Sequence, residues 1–193
     1  MDKISEAICF ATAAFDGMER KVDKQPAILH SLEAATITQT LTNEREAVIA
    51  AVLHDTIEDA NIKIEEIVER FGNRVANLVL AETENKRVKQ SPSDTWRIRK
   101  EESVAVLRQT DDIGIKALYL GDKLSNIRSL NRSFEQYGDD VWCYFNQKDP
   151  LEHKWYYTSI RDALGVFSDK IAYKEYCYFV DKLFGGTDDG NRR

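Results

Sequence analysis

The sequence predicts an all-α fold: one compact domain over residues 1–184, built from about nine or ten helices. Three observations carry this. Apolar residues recur at helical spacing, and no stretch sustains the alternation of a half-buried strand. Only three prolines and nine glycines punctuate the 193 residues. Capping residues stand where the periodic segments begin.

The first helix is expected over 5–15, with Ala7, Ile8, Ala11 and Phe15 on one side. A charged loop over 20–25 follows, and Pro26 opens the second helix, where a missing N–H costs nothing. Asn43 with Glu46 reads as a capping box for the third. Two shorter helices, 64–71 and 73–82, flank Gly72. The polar stretch 84–93, with Ser91-Pro92-Ser93, reads as a mobile loop. Asp94 caps a helix to Gln109, and 113–130 form a strongly apolar one. Ser133 with Gln136 caps a short piece. Asp149-Pro150-Leu151-Glu152 sets a cap, a proline and a capping-box glutamate in order, opening a helix to Phe167. The last helix runs over 169–184, and the polar, glycine-containing tail 185–193 is expected to be disordered.

Composition narrows the function. A chain 42% hydrophobic and 31% charged is typical of a soluble globular domain. No apolar run approaches the roughly 20 residues that span a bilayer, and the acidic, amphipathic start is not a signal peptide. Cys9, Cys143 and Cys177 form no CxxC spacing and read as buried structural thiols of a reduced, cytoplasmic protein. A net charge of −6 disfavours nucleic-acid binding but admits a small anionic partner, with a bound cation or local Lys and Arg supplying the attraction.

Chemistry concentrates in three segments. In Leu53-His54-Asp55-Thr56-Ile57-Glu58-Asp59, a continuous helix would gather one imidazole and three carboxylates within an arc of about 140°. Enclosed together, these carboxylates repel and lose hydration, which a divalent cation relieves. The competing reading is a solvated Glu58–Asp59 face with His54 in the core. His30 lies on an apolar face beside Ile28, Leu32 and Ala34, as either a ligand or a buried structural histidine. Asp122 and Asn126 share a face of the apolar helix. A buried Asp122 needs a partner, either a metal or a Lys or Arg. Gly121 admits close backbone approach.

Together, His30, His54-Asp55, Glu58-Asp59 and Gly121-Asp122-Lys123-Leu124-Ser125-Asn126 resemble the HD superfamily, most closely the hydrolase domain of RelA/SpoT-type proteins and the stand-alone small alarmone hydrolases. The resemblance runs from about Ala7 to Leu130 and more weakly beyond. It implies an all-helical, manganese-dependent enzyme that cleaves the 3′-pyrophosphate from guanosine tetra- or pentaphosphate. It also implies His30, His54, Asp55 and Asp122 as metal ligands, and Glu58 and Asp59 as the residues that orient or deprotonate the attacking water. Asn126 would hold the sugar or a phosphate, and Arg20 and Lys21 would flank the base. Lys123 is a further candidate to neutralise phosphate. The donor set also suits Fe²⁺, Co²⁺ or Zn²⁺, so manganese rests on the resemblance. Ser31, Ala27, Asp16 and Gly121 depart from the family's usual proline, tyrosine, histidine and alanine. None removes an implied ligand, but they alter the surroundings of the base. The chain ends at Arg193, too soon after Asn126 for a synthetase domain, so hydrolysis without synthesis is implied.

Two other readings share these ligands: a phosphatase or phosphodiesterase acting on another nucleotide, and a nucleotide sensor without turnover. Arg128 reads as a surface residue paired with acids, His153 as exposed, and Trp155-Tyr156-Tyr157 as core. The Tyr173, Tyr176, Tyr178 and Phe179 cluster reads as packing of the last helix or as a homo-oligomer contact.

Overall fold

The computed structural model describes residues 2–185; the expected tail beyond Gly185 lies outside them. Among the described residues the chain forms nine α-helices: α1 (Lys3–Ala14), α2 (Ala27–Gln39), α3 (Arg45–Leu53), α4 (Thr56–Ala60), α5 (Ile64–Glu82), α6 (Trp96–Gln109), α7 (Ile113–Tyr137), α8 (Pro150–Ala163) and α9 (Ile171–Phe184). Two 3₁₀ turns, Gly138–Tyr144 and Gly165–Phe167, join the last three. There is no strand among these residues, only an isolated bridge between Glu19 and Pro26. None of these helices is long and apolar enough to cross a membrane.

Two apolar clusters meet along α7. One gathers α1, α3 and α5 around Ala7, Ala11, Leu53, Ile67 and Leu78. The other gathers α6, α8 and α9 around Leu107, Tyr156, Ile160, Tyr176 and Phe184. Every residue of α3 from Ala47 to Leu53 is buried, as expected of a helix apolar on all sides. α7 is central in the same way and buries Leu118, Leu120, Leu124 and Ile127 completely.

α2 crosses α7 at very short range, and Gly121 is the reason. A Cβ at Gly121 would lie 2.6 Å from the Ala34 carbonyl oxygen and collide with Thr38 Oγ1. The close approach expected at this glycine is therefore present, and it brings Asp122 against His30.

Several boundaries differ from expectation. α3 has no capping box at Asn43: Glu44 occupies the N-cap position, and its carboxylate goes to Arg74 instead. Thr95, not Asp94, precedes α6. α7 runs through Ser133 without a break and stops at Gly138, whose φ of 56° ends the helix. α8 stops at Ala163. Asp149 caps α8 as expected, accepting the Leu151 N–H with Pro150 in the first turn. Gly72 (φ 86°, ψ 168°) breaks α5 into the two expected segments.

Two burial expectations are corrected. Cys9 and Cys143 are exposed and Cys177 is half-buried. Cys9 sits two residues from both Ala7 and Ala11 and so points away from the buried stripe they define. His153 is buried rather than exposed, with its ring 5.0–5.3 Å from those of Trp96, Trp142 and Phe145.

Candidate metal centre

Three helices supply the centre. α2 presents His30 and the C-terminal end of α3 presents His54 and Asp55, while α7 presents Asp122. The continuous helix expected over 53–59 does not form. The chain turns at His54–Asp55 and restarts as the short α4, which ends at Asn61 in the left-handed region (φ 55°). His54 therefore points into the interior, Glu58 (17% exposed) into the cavity wall, and Asp59 (51% exposed) toward the rim. The single arc of four ionisable groups is corrected to a floor and a wall.

On the floor, His30 Nε2 lies 2.9 Å from Asp122 Oδ1 and 3.7 Å from Asp55 Oδ2. His54 Nε2 lies 3.2 Å from Asp55 Oδ2 and 3.4 Å from Asp122 Oδ1. The ligand atoms of His30, His54 and Asp122 all lie within 4.8 Å of one another. Ligands about 2.1 Å from one ion stand roughly 3.0–3.4 Å apart at octahedral or tetrahedral angles, so this spacing fits a single cation. A second observation agrees. His54 Nε2 is buried without a hydrogen-bond partner, while His54 Nδ1 lies 2.9 Å from the Ala51 carbonyl. A carbonyl only accepts, so Nδ1 carries a proton, and Nε2 is the nitrogen whose lone pair a cation would take.

Without an ion, the aspartates and histidines of the floor are held by one another's charge. Burial alone would raise the pKa of both aspartates. At Asp55 the His54 imidazole overrides this, and at Asp122 the Lys123 ammonium and the two imidazoles do, so both carboxylates are held low. Burial lowers the pKa of His30. At His54 the same penalty is outweighed by Asp55 and Asp122, and the pKa rises, so without an ion a proton holds the place on Nε2 that a cation would take. Glu82, behind the centre, is pushed up to about 8 by burial and then by Asp122. Burial also raises Glu58.

The centre floors a cavity of about 670 Å³. Arg20, Lys21, Lys86, Arg99, Lys100 and Lys123 line it, with Phe15, Met18, Phe145 and Tyr157 as apolar wall. Arg20 donates to Asn126 Oδ1 at 2.9 Å, and Asn126 Nδ2 donates to Asp122 Oδ1 at 2.6 Å. The loop over 20–25 is held for this by Arg20 N–H to Gln25 O and Ala27 N–H to Met18 O, both 2.9 Å. Lys21 is exposed and makes no such link. Lys123 contacts Asp122 Oδ2 and lies 3.3 Å from Glu82 Oε1. Arg128 pairs with Glu33 and Glu175, as expected.

The sequence reading missed Lys86, Arg99 and Lys100. The stretch read as a mobile loop carries the first and is tied to the wall: Glu84 N–H donates to Glu58 Oε1 (2.6 Å), and Lys86 donates to Asp59 Oδ1 (2.7 Å). Arg99 and Lys100 both pair with Glu84. Their signal is a basic Arg-x-Arg-Lys run at 97–100 opening a helix just after the loop, which is informative only once that helix is known to face the histidines.

The HD domain family matches residues 7–151. The guanosine-3′,5′-bis(diphosphate) 3′-pyrophosphohydrolase of Aquifex aeolicus is 31% identical over 186 residues, covering 90% of this chain and 24% of that protein. The protein of the same name from Haemophilus influenzae is 34% identical over 141 residues, covering 67% and 20%. The chain thus spans about a quarter or less of the length of these curated relatives. A crystal structure of lmo0812 from Listeria monocytogenes superposes with a TM-score of 0.69 at 32% identity, covering 81% of this chain and 99% of that one. A metazoan ortholog of SpoT, described as hydrolysing ppGpp, superposes at 0.70 with 20% identity, covering 97% and 96%, and shares the fold. With the family's pattern running through seven of the nine helices and this architecture recurring in both structures, the chain belongs to the HD domain family.

Proposed function

We propose that this domain is a divalent-metal-dependent phosphohydrolase that removes the 3′-pyrophosphate of guanosine 3′,5′-bis(diphosphate), releasing GDP and pyrophosphate. The observation that carries the reading is the convergence of His30, His54, Asp55 and Asp122 at the floor of a cavity lined by both cations and carboxylates. The names of the relatives that match at about 30% identity support the nucleotide.

The four residues would hold the cation through Nε2 of each histidine and one oxygen of each aspartate. Manganese is the ion the resemblance favours, and Fe²⁺, Co²⁺ or Zn²⁺ suit the same donors. Bound there, the ion supplies Lewis-acid polarisation of a phosphoryl oxygen. Glu58 takes the proton of the attacking water; its raised pKa brings it nearer working pH, where a general base is most effective. Asp59, tied to Lys86, orients that water from the rim. The water oxygen bonds to the 3′-phosphorus, the bond to the ribose 3′-oxygen breaks, and that oxygen leaves as a hydroxyl by taking a proton from solvent, to which Glu58 in turn releases the one it accepted. Asn126, held between Asp122 and Arg20, lies where a sugar or phosphate can replace one of its contacts. Arg20 and Lys21 flank the base, and Lys86, Arg99, Lys100 and Lys123 offset the phosphate charge.

Product analysis with the manganese-supplied protein tests this. The expected outcome is GDP and pyrophosphate, abolished by chelation. Glu58→Gln should keep its metal and lose about 10²–10⁴ in turnover. Orthophosphate as the product would make the protein a phosphatase, and tight binding without release would make it a sensor. Wild-type rates in a metal-loaded Glu58→Gln, Asp59→Asn double variant would remove the assigned base.

A further inference from the structure

The two histidines of the centre are oriented in different ways. His54 is fixed by its own backbone, through the Ala51 carbonyl. His30 is fixed by side chains. Its Nδ1 lies 2.8 Å from Ser125 Oγ, and Ser125 Oγ lies 2.7 Å from Glu33 Oε2. Ser125 has one hydrogen to give, and the carboxylate can only accept. If Ser125 gave that hydrogen to His30, two bare oxygens would face each other at 2.7 Å. The satisfied direction is therefore single: His30 Nδ1–H donates to Ser125, and Ser125 donates to Glu33. Neutral His30 is then left with its lone pair on Nε2, aimed between Asp55 and Asp122.

The chain of contacts continues outward. Glu33 Oε1 accepts from Arg128 at 2.8 Å, and Arg128 forks onto both oxygens of Glu175 on α9 at 2.8 and 2.7 Å. His30 and Ser125 are buried, whereas Glu33 is 30% exposed and touches no residue of the proposed ligand set. Glu33 can therefore influence the centre through Ser125, through its charge, or through its Arg128 pair, which ties α2 to α7.

We propose that Ser125 and Glu33 are positioning residues for the metal centre, a hydroxyl–carboxylate relay that holds the His30 ring with Nε2 available and so sets metal affinity. This rests on the metal-binding reading above. Residues that orient a ligating histidine contribute about 10–100-fold to metal affinity where their removal has been measured. Ser125→Ala removes the acceptor of Nδ1–H and should weaken Mn²⁺ binding within that range. Glu33→Ala leaves the hydroxyl in place but frees its direction, and should weaken binding by about 3- to 10-fold, the scale of one net hydrogen bond. Glu33→Gln removes the charge but keeps an acceptor for Ser125, and should recover most of that loss.

The test is Mn²⁺ titration of the purified full chain and these variants, followed by the paramagnetic resonance of the free ion, with His30→Ala alongside. A second readout is the His30 Nδ1 proton resonance of the zinc-loaded protein, which should move upfield in Glu33→Ala although Glu33 touches no ring atom. Graded losses in the order Ser125→Ala, Glu33→Ala, Glu33→Gln, with that shift, support the relay. Unchanged affinity in Ser125→Ala and Glu33→Ala beside a large loss in His30→Ala overturns the relay and leaves the metal centre standing. Equal losses in Glu33→Ala and Glu33→Gln, with the resonance unmoved, overturn it in favour of bare charge. Unchanged affinity in all variants including His30→Ala overturns the metal centre and the relay with it. Ser125→Ala is nearly isosteric and Glu33 is partly exposed, so both variants should fold; thermal unfolding of each, metal-free, checks this.

Discussion

His153 shows how much one residue's setting decides. It sits among Trp96, Trp142 and Phe145, and its Nε2–H donates to the Gln147 carbonyl at 2.8 Å. Burial lowers its pKa; Lys100 adds to that, while the Gln147 carbonyl, Asp149 and Glu152 oppose it. The folded protein therefore keeps His153 neutral, while the unfolded chain protonates it near pH 6.5. Its contribution to stability is complete above that pH and is lost as pH falls toward the folded value. Denaturant unfolding at pH 7.5 and pH 5.5 should show the wild type losing up to about 1.4 kcal/mol per pH unit more than His153→Leu in this window. Equal pH slopes would contradict it. The burial was legible: His153, Tyr156, Tyr157 and Ile160 are spaced i, i+3, i+4 and i+7, one helix face. Nearness to the start of α8 outweighed that spacing in the sequence reading. The grouping of His30, His54, Asp55 and Asp122, the proposed ligands, was legible from pattern and resemblance. The orientation of Glu58 and Asp59 was not, because the turn at His54–Asp55 depends on α3 ending against its neighbours rather than on any local breaker.

At the scale of elements, the crossing of α2 and α7 and the start of α7 matter most. The crossing depends on Gly121. Gly121→Ala would press a methyl group against the Ala34 carbonyl, so the helices must separate, at about 1–3 kcal/mol. Because His30 and Asp122 sit on the two sides of this contact, metal affinity should fall together with the melting temperature. A Gly121→Ala variant with unchanged stability would contradict the packing. The start of α7 depends on Asp112, which accepts the N–H groups of Gly114 and Ile115 and pairs with Arg74 at 2.6 Å. Arg74 also binds Glu44, joining the starts of α3 and α7 to α5. The Arg74 guanidinium holds the Asp112 carboxyl at about 2. This stabilisation is present above the unfolded pKa near 3.9 and is lost as pH falls through about 2. Asp112→Asn keeps the cap and loses the ion pair. It should cost about 1 kcal/mol at pH 7, given the partial exposure of both groups, and the difference should shrink between pH 4 and pH 2. A difference independent of pH would mean that Arg74 contributes nothing there. Helix existence and order were legible from periodicity and from caps such as Asp149-Pro150. Exact ends were not: α7 passes through Ser133 because Asn131 Nδ2 bonds the Ile127 carbonyl at 2.9 Å and the Phe179 carbonyl at 3.2 Å, satisfying a polar residue inside the helix.

Across the whole molecule, two apolar clusters close on α7, and the candidate metal centre lies where α2, α3 and α7 come together. A net negative chain can still receive a phosphorylated nucleotide, because a concentration of Lys and Arg side chains lines the cavity of the candidate metal centre, where a bound cation would add to them against the carboxylates that also line it. That concentration was invisible in composition. It arises when the loop over 20–25, the stretch before α6, and α6 itself reach the same wall from distant parts of the sequence. The all-helical class and the three chemical segments were readable in one dimension; the cavity exists only in three. The central claim is that His30, His54, Asp55 and Asp122 share one cation. The most direct measurement is the anomalous difference map of crystals soaked in Mn²⁺, collected at the manganese edge. A single strong peak is expected about 2.0–2.3 Å from His30 Nε2, His54 Nε2 and one oxygen each of Asp55 and Asp122. A peak that leaves out His30 or Asp122, or no peak on the cavity floor at saturating Mn²⁺, would contradict it.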